Sequence, residues 1–265
     1  VDCQLEKIKK FAFRNLQIEE ISIPDSVTSI GNNAFYNCKL LKKVNITPQS
    51  HLKIIKSSAF EKCGIESFGF PSTLETIKDF AFFECFNLAK IDNYSEKIEF
   101  GYKSLARSGI ENIEFPSNSF FDNSSFKECV KLKEIVFKEN VNKVIFGQES
   151  FACSGLESLK IEKDFEVEIK ENAFIFCRDL KQVILTGEKI LCKENSFYYC
   201  SNLNEFSYVK RTENSEIKKD FYFKDIINRA KYSTVKKFSF NLVTVYLFTI
   251  EKQKLTLEND CFAID

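Results

Sequence analysis

The cysteines are the residues of this chain with the greatest capacity for chemistry. The 265-residue sequence contains ten of them, enough for disulfides, a metal site or redox chemistry. No C-x-x-C pair occurs, and six cysteines recur with the period of a chain repeat instead of a zinc-binding spacing. We interpret these six as small buried residues with free thiols. They are Cys38, Cys63, Cys85, Cys129, Cys177 and Cys200.

A nucleophilic site of the Cys-His or Ser-His type would need His51, the single histidine of the chain. It lies in a polar stretch, PQSHLK, between two repeats, which is typical of a solvated surface residue. The carboxylates follow outward-facing positions, and no pair of them has a placement that requires acid–base catalysis. The sequence therefore predicts no catalytic residue, no cofactor and no metal, and we expect a protein that is not an enzyme.

The bulk composition narrows the class of partner. The formal net charge is +0, which argues against a general nucleic-acid binder with a basic face. No apolar run approaches the roughly 20 residues that a membrane-spanning helix needs, so we expect no transmembrane segment. Phe occurs 29 times and Trp not at all, which indicates one packing position filled by Phe again and again.

That position recurs every 21 to 25 residues, and we call its occupants the anchors. They are Phe13, Phe35, Phe60, Phe82, Leu105, Phe126, Phe151, Phe174 and Phe197. Ala or Ser precedes each anchor, the six cysteines follow three residues after one, and Leu or Ile comes five or six residues after. An alternating apolar pair such as Val44/Ile46 then predicts a half-buried strand.

Each repeat is too short to bury its own apolar face, so the repeats must stack into a solenoid with one continuous core. Gly64, Gly109 and Gly155 occur in copies that are one residue shorter, where we expect glycine to permit a tight turn. Adjacent turns lie roughly 5 Å apart, a spacing that permits a disulfide between them. The better disulfide candidates are the cysteines outside the register, Cys3, Cys153, Cys192 and Cys261.

The segment 23–38 carries the pattern I-P-x-S-V-T-x-I-G-x-x-A-F-x-x-C. Together with L-x-x-V-x-I at 41–46, it resembles the BspA-like (Treponema-type) leucine-rich repeats, over roughly residues 5–208. The resemblance implies a leucine-rich-repeat solenoid. Each repeat has one short parallel β-strand on the concave face, with turns and short 3-10 or helical segments on the convex side.

We expect residues 1–265 to form a single solenoid domain, regular over about 5–208 and irregular over about 209–265. In the irregular part, 220–232 could form a short helix. The segment 235–240 is predicted to be a further solenoid strand, and the apolar segment 242–250 is also predicted to be a strand. The segment 255–262 aligns with 167–174, so a further copy begins there.

The candidate site is the row of outward residues beside the buried strand residues. Such a face is extended, rigid and variable from copy to copy, which suits recognition of a protein. Val136 and Ile184 are its apolar exceptions and could seed a contact patch, although scattered exposed apolar residues are also normal. The candidate partner contacts are Lys43, Asn45, Lys90, Asp92, Asn112, Glu114, Glu134, Val136, Ser158, Lys160, Gln182 and Ile184.

Two functions follow. The resemblance implies a non-enzymatic interaction module of a cell-surface or secreted protein, involved in adhesion to host proteins or cells. The alternative is an intracellular scaffold that uses the same face, which mostly unpaired cysteines and the lack of a visible signal sequence would fit. Both readings predict a protein partner.

Overall fold

The chain coils into a solenoid in which each regular turn contributes two short strands. The computed structural model describes residues 5–115, 119–138, 143–162, 166–186 and 190–209, and the strands at 237–240 and 243–246. The helix predicted at 220–232 and the further copy predicted at 255–262 lie outside the described residues.

The strands predicted from the alternating apolar pairs form one side of the solenoid, which we call the first face. They group into sheets of four, two and five strands. Pairing is parallel and in register, so that Ile21 lies opposite Val44. The predicted parallel strand in each repeat is therefore confirmed. The bounds in the regular part are Glu20–Ser22, Lys43–Asn45, Ser67–Phe70, Lys90–Asn93, Glu114–Phe115, Val136–Phe137, Ser158–Ile161, Gln182–Thr186 and Glu205–Val209.

Two further strands extend the first face beyond the regular repeats. Lys237–Phe240 pairs in parallel with Glu205–Val209, and Val243–Tyr246 pairs antiparallel with Lys237–Phe240. Both strands fall within segments predicted to be strands, 235–240 and 242–250. The antiparallel pair ends the parallel order of the sheet.

A second, nine-stranded parallel sheet forms another side of the solenoid, which we call the second face. In each turn its strand precedes the anchor, and a buried residue five positions before the anchor, such as Ile55 or Phe121, points into the core. The bounds are Lys7–Ile8, Ser29–Ile30, Ile54–Ile55, Thr76–Ile77, Glu99–Phe100, Phe120–Phe121, Lys143–Phe146, Glu166–Ile169 and Ile190–Cys192.

Turns surround each anchor, where we expected short helical segments. No helix occurs among the described residues, because the residues two before and two after each anchor have positive φ. Around Phe35 these are Asn33 (φ 54°) and Asn37 (φ 59°). Positive φ stops a right-handed helix at once. The turn instead donates to the next repeat, with the backbone N of Asn33, Phe35 and Asn37 at 2.7–3.0 Å from carbonyls of that repeat.

The anchors stack along the interior as a column of nearly parallel rings. Phe35 and Phe60 have ring centroids 4.9 Å apart and planes 2° apart, and Phe126 and Phe151 are similar at 5.0 Å and 4°. Leu105 interrupts the column and is fully buried. Near this interruption the ring of Phe100 lies 5.2 Å from that of Phe126. A single apolar core therefore runs through the described turns.

The glycines of the shorter copies have a different role from the one expected. None of them has positive φ, so tight turning is not the reason for glycine. A Cβ built on Gly109 would lie 2.1 Å from the carbonyl oxygen of Phe86 in the preceding turn, and on Gly155 it would lie 1.9 Å from that of Val130. Glycine is required because neighbouring turns approach too closely there for any side chain.

We predict that the anchor column tolerates a smaller apolar residue better than truncation. Phe60→Leu should lower the free energy of unfolding by about 1 to 1.5 kcal/mol, because Leu fills most of the volume but loses the ring stacking. Phe60→Ala should lower it by about 3 to 5 kcal/mol because it leaves a cavity. Urea denaturation of both variants measures the difference, and equal losses would contradict a packed column.

A second prediction concerns the left-handed turn residues. Ser58 has φ of 55°, a conformation that costs a non-glycine residue roughly 1 to 2 kcal/mol. Ser58→Gly should therefore raise the free energy of unfolding by up to about 1 kcal/mol, after the greater chain entropy of glycine is subtracted.

The neighbouring Ser57 supplies a matched control, because it is half-buried like Ser58 but is not left-handed. Ser57→Gly should lower the free energy of unfolding by about 0.5 to 1 kcal/mol. Urea denaturation measures both variants. The turn geometry would be contradicted by equal changes in the two proteins.

Candidate interaction face

The outward residues of the first face alternate with buried ones along each strand, as the sequence predicts. On the fourth strand, Lys90 is exposed, Ile91 is buried and Asp92 is half-buried. The parallel register then aligns outward residues from turn to turn, for example Ser67 with Lys90 and Lys160 with Ile184. The structure places all twelve candidate contacts on this outward side, in the same order along the solenoid as in the sequence.

Three of these polar side chains, Lys43, Asn45 and Gln182, bind outward residues of a neighbouring turn. The Lys43 ammonium lies 3.0 Å from the Glu20 carboxylate, and the Asn45 amide donates to that carboxylate at 2.6 Å. Hydrogen bonds from Asn45 and Lys43 lower the pKa of Glu20. Further along, the amide of Gln182 donates to Glu205 at 2.6 Å. These exposed contacts add little stability, but they hold the side chains in a defined arrangement.

Val136 and Ile184 do not form one apolar patch. Val136 is 41% exposed and belongs to the two-stranded sheet, whereas Ile184 is half-buried in the next sheet. The turn that carries Lys160 lies between them, so two turn spacings, roughly 10 Å, separate their backbones. Val136 therefore offers a single exposed apolar contact in its strand, with Glu114 opposite it among the described residues.

The second face is a candidate surface that the sequence reasoning missed. Its outward row contains Phe120 and Ile145, which pair in register and are both half-buried. The Lys170 ammonium lies 6.0 Å above the Phe120 ring. One sequence signal could have revealed this face. Eight of the nine regular repeats carry Ile or Phe five residues before the anchor, and the ninth carries Cys192.

The six cysteines in register are free and buried, which confirms their interpretation as structural thiols. Each thiol donates to the carbonyl of the anchor in the preceding turn. Cys63 reaches Phe35 at 2.9 Å, and Cys85 reaches Phe60 at 3.0 Å. Burial raises the pKa of Cys85 to about 12. Among the disulfide candidates outside the register, Cys153 and Cys192 are also free, while Cys3 and Cys261 lie outside the described residues.

Among the described residues, the contact made by the His51 ring is with a backbone carbonyl and not with a nucleophilic side chain. Its ring is exposed, and Nδ1 lies 3.0 Å from the carbonyl oxygen of Asp25. Among the described residues, no group of three or more His, Cys, Asp or Glu side chains could hold a metal ion. A search of the described residues also finds no helix that is long and apolar enough to cross a bilayer.

Comparison with solved structures supports the fold. A leucine-rich repeat protein from Bacteroides ovatus superimposes with a TM-score of 0.58 and 24% identity, over 76% of this chain and 58% of that one. The present chain thus spans about three fifths of the length of that protein. At this identity the similarity establishes the fold alone.

Two other leucine-rich structures resemble the chain more weakly. A leucine rich cell surface protein from Faecalibacterium prausnitzii gives a TM-score of 0.33 with 17% identity, over 87% of this chain and 86% of that one. The pneumococcal vaccine antigen PcpA gives 0.43 with 20% identity, over 82% and 63%. Both TM-scores are too low to establish a shared fold. Comparison with curated proteins gives no match.

The sequence profile of the BspA type leucine rich repeat region matches the chain over residues 6–133, 53–168, 102–225 and 144–264. These overlapping matches extend over nearly the whole sequence, including the turns whose anchors, thiols and paired strands are described above. The chain belongs to the family of BspA type leucine-rich repeat proteins.

Proposed function

We propose that the chain is a non-catalytic interaction module that binds a protein partner through the outward residues of the first face. One observation carries this proposal: the inward positions of that face are apolar in all regular turns except at Asn93, which lies opposite Phe70, while the outward positions differ from turn to turn. Lys43, Ser67, Lys90, Asn112 and Glu134 occupy the same outward position in successive turns. A constant core therefore presents a variable surface.

The geometry of the face favours a macromolecule over a small molecule. Nine turns at a strand spacing of about 4.8 Å extend over roughly 40 Å, far longer than a small ligand. The side chains project from paired, hydrogen-bonded strands in three successive sheets, so they lose little freedom when a partner binds. The face carries both acidic and basic residues, including the ion pairs Lys43–Glu20 and Lys90–Asp92, which favours a protein partner with mixed charges over nucleic acid.

We place this module at the cell surface or outside the cell, with a role in adhesion or host interaction. Membership of the BspA type family supports that setting. A second setting, an intracellular scaffold with the same binding face, is favoured by the free thiols of the described cysteines, because thiols persist in reducing compartments. The binding mode is the same in both.

Binding to monolayers of cultured epithelial cells tests the adhesive role. We expect the fluorescently labelled chain to bind saturably, and Val136→Lys to weaken binding at least tenfold, because it places a charge in the exposed apolar contact. Lysine is chosen because Glu114 lies opposite Val136 and can pair with the new charge, so the fold is retained. Flow cytometry of labelled cells measures the binding.

Ile54→Lys is the matched control, since Ile54 is a half-buried apolar residue in a strand of the second face. It should bind like the wild type. Loss of binding in Ile54→Lys but not in Val136→Lys would transfer the site to the second face. A wild-type chain that binds no cells would contradict the adhesive role and favour the scaffold.

A further inference from the structure

Two recesses open along one edge of the solenoid, where the chain leaves the anchor turn and approaches the strand of the first face. The first has a volume of about 550 Å³ and the second about 410 Å³. Each is lined by residues of three successive turns, with a glycine in the middle turn. These residues are Lys39, Gly64 and Phe86 in the first recess, and Val130, Gly155 and Arg178 in the second.

The recesses arise because longer and shorter copies of the repeat alternate along this edge. A longer copy has two residues between the position three after the anchor and the next buried leucine, whereas a shorter copy has a single glycine there. The paired residues are exposed and the glycines are buried. We call the pairs the ridges, and they are Lys39/Leu40, Phe86/Asn87, Val130/Lys131 and Arg178/Asp179.

The glycines between the ridges lie two turns apart, and each is in close contact with the turn before it. The backbone N of Gly64 donates to the carbonyl of Cys38 at 3.3 Å, and that of Gly155 donates to Cys129 at 3.1 Å. Gly109 holds the equivalent position between them. At a strand spacing of about 4.8 Å per turn, successive glycines are about 9.6 Å apart.

A polyproline II helix is the peptide conformation whose period fits this interval. It has three residues per turn and a rise of about 3.1 Å, so every third side chain lies on the same side, about 9.3 Å further along. An extended strand repeats a side every two residues, about 6.7 Å, and an α-helix repeats it every seven residues, about 10.5 Å. Across the three glycines the polyproline II helix falls out of step by only about 0.6 Å, and the other two by roughly 2 Å or more.

The ridges also match the chemistry of a proline-rich chain. The two inner ridges carry Phe86, which is 57% exposed, and Val130, which is 62% exposed, and proline rings dock between aromatic and apolar walls. A polyproline II backbone makes no internal hydrogen bonds, so its carbonyls can accept from ridge donors such as Asn87 and Arg178. An α-helix would offer these donors no free carbonyl along its length.

The charge of the first recess indicates what flanks the prolines. Lys39 and Lys62 both line this recess. Glu84 lines it too, but its carboxylate is held by Arg107 at 2.7 Å and lies 3.9 Å from Lys62. The ammonium of Lys39 at the outer ridge therefore favours an acidic residue next to the proline-rich stretch.

We propose that this edge binds a proline-rich segment of a partner protein in the polyproline II conformation. Every third residue of the segment lies over Gly64, Gly109 or Gly155, and an acidic residue lies beside Lys39. The site is separate from the twelve candidate contacts of the first face, so it does not depend on the function proposed above.

Fluorescence anisotropy of a labelled peptide, seven prolines with a glutamate at each end, tests the proposal. Seven residues reach all three glycines, whereas four reach only two, so a four-proline peptide should bind at least tenfold more weakly. A glycine/serine peptide of the same length and charge should not bind, because it is a flexible coil. Absence of binding by the seven-proline peptide, or equal binding of the glycine/serine peptide, would overturn the proposal.

Variants of the ridges locate the site on the protein. Phe86→Ser and Val130→Ser should each weaken binding of the seven-proline peptide at least tenfold, with the urea midpoint of the wild type, because both side chains are exposed. Tyr94→Ser is the matched control, since Tyr94 is 58% exposed but lies outside this edge, and it should bind like the wild type. Unchanged binding in both ridge variants, or the same loss in Tyr94→Ser, would also overturn the proposal.

Discussion

The structure depends on the register between successive turns. Ring stacking at 4.9 to 5.5 Å along the anchor column matches the spacing of parallel strands, so both faces and the turns advance by the same step. Every residue consequently lies beside its equivalent in the next turn. A slip of one residue would expose the apolar side of both sheets and separate the rings, and the register is therefore strongly specified.

The same register explains several features that appear unrelated in the sequence. In three successive turns the Glu157 carboxylate lies between two ammonium groups, that of Lys133 at 3.3 Å and that of Lys181 at 3.0 Å. Hydrogen bonds from Lys181 and Lys133 lower the pKa of Glu157. The left-handed residues around each anchor are intrinsically unfavourable, yet their N–H groups meet carbonyls of the next turn. Pairing between turns offsets a local conformational cost that an isolated repeat could not sustain.

The elements that recur with a fixed spacing could be predicted from the sequence, and the others could not. The anchors and the first face were predictable because apolar residues hold constant positions. The second face was missed because its strand is only two residues long in most turns, too short for alternation to show. The left-handed turn positions could not be predicted, because residues as different as Phe80, Lys62 and Glu84 adopt positive φ there, as well as Asn. The twelve candidate contacts follow from alternation alone, and their partner remains a proposal.

The buried position three residues after the anchor accepts either cysteine or serine. Ser108 and Ser154 occupy the same buried position as the cysteines, in turns that retain the same hydrogen bonds between neighbouring turns. A small donor is therefore what the fold requires at this position, and either residue supplies it. The turns are joined by hydrogen bonds, apolar contacts and ion pairs such as Lys181–Glu157, and all three kinds of contact depend on the register between turns.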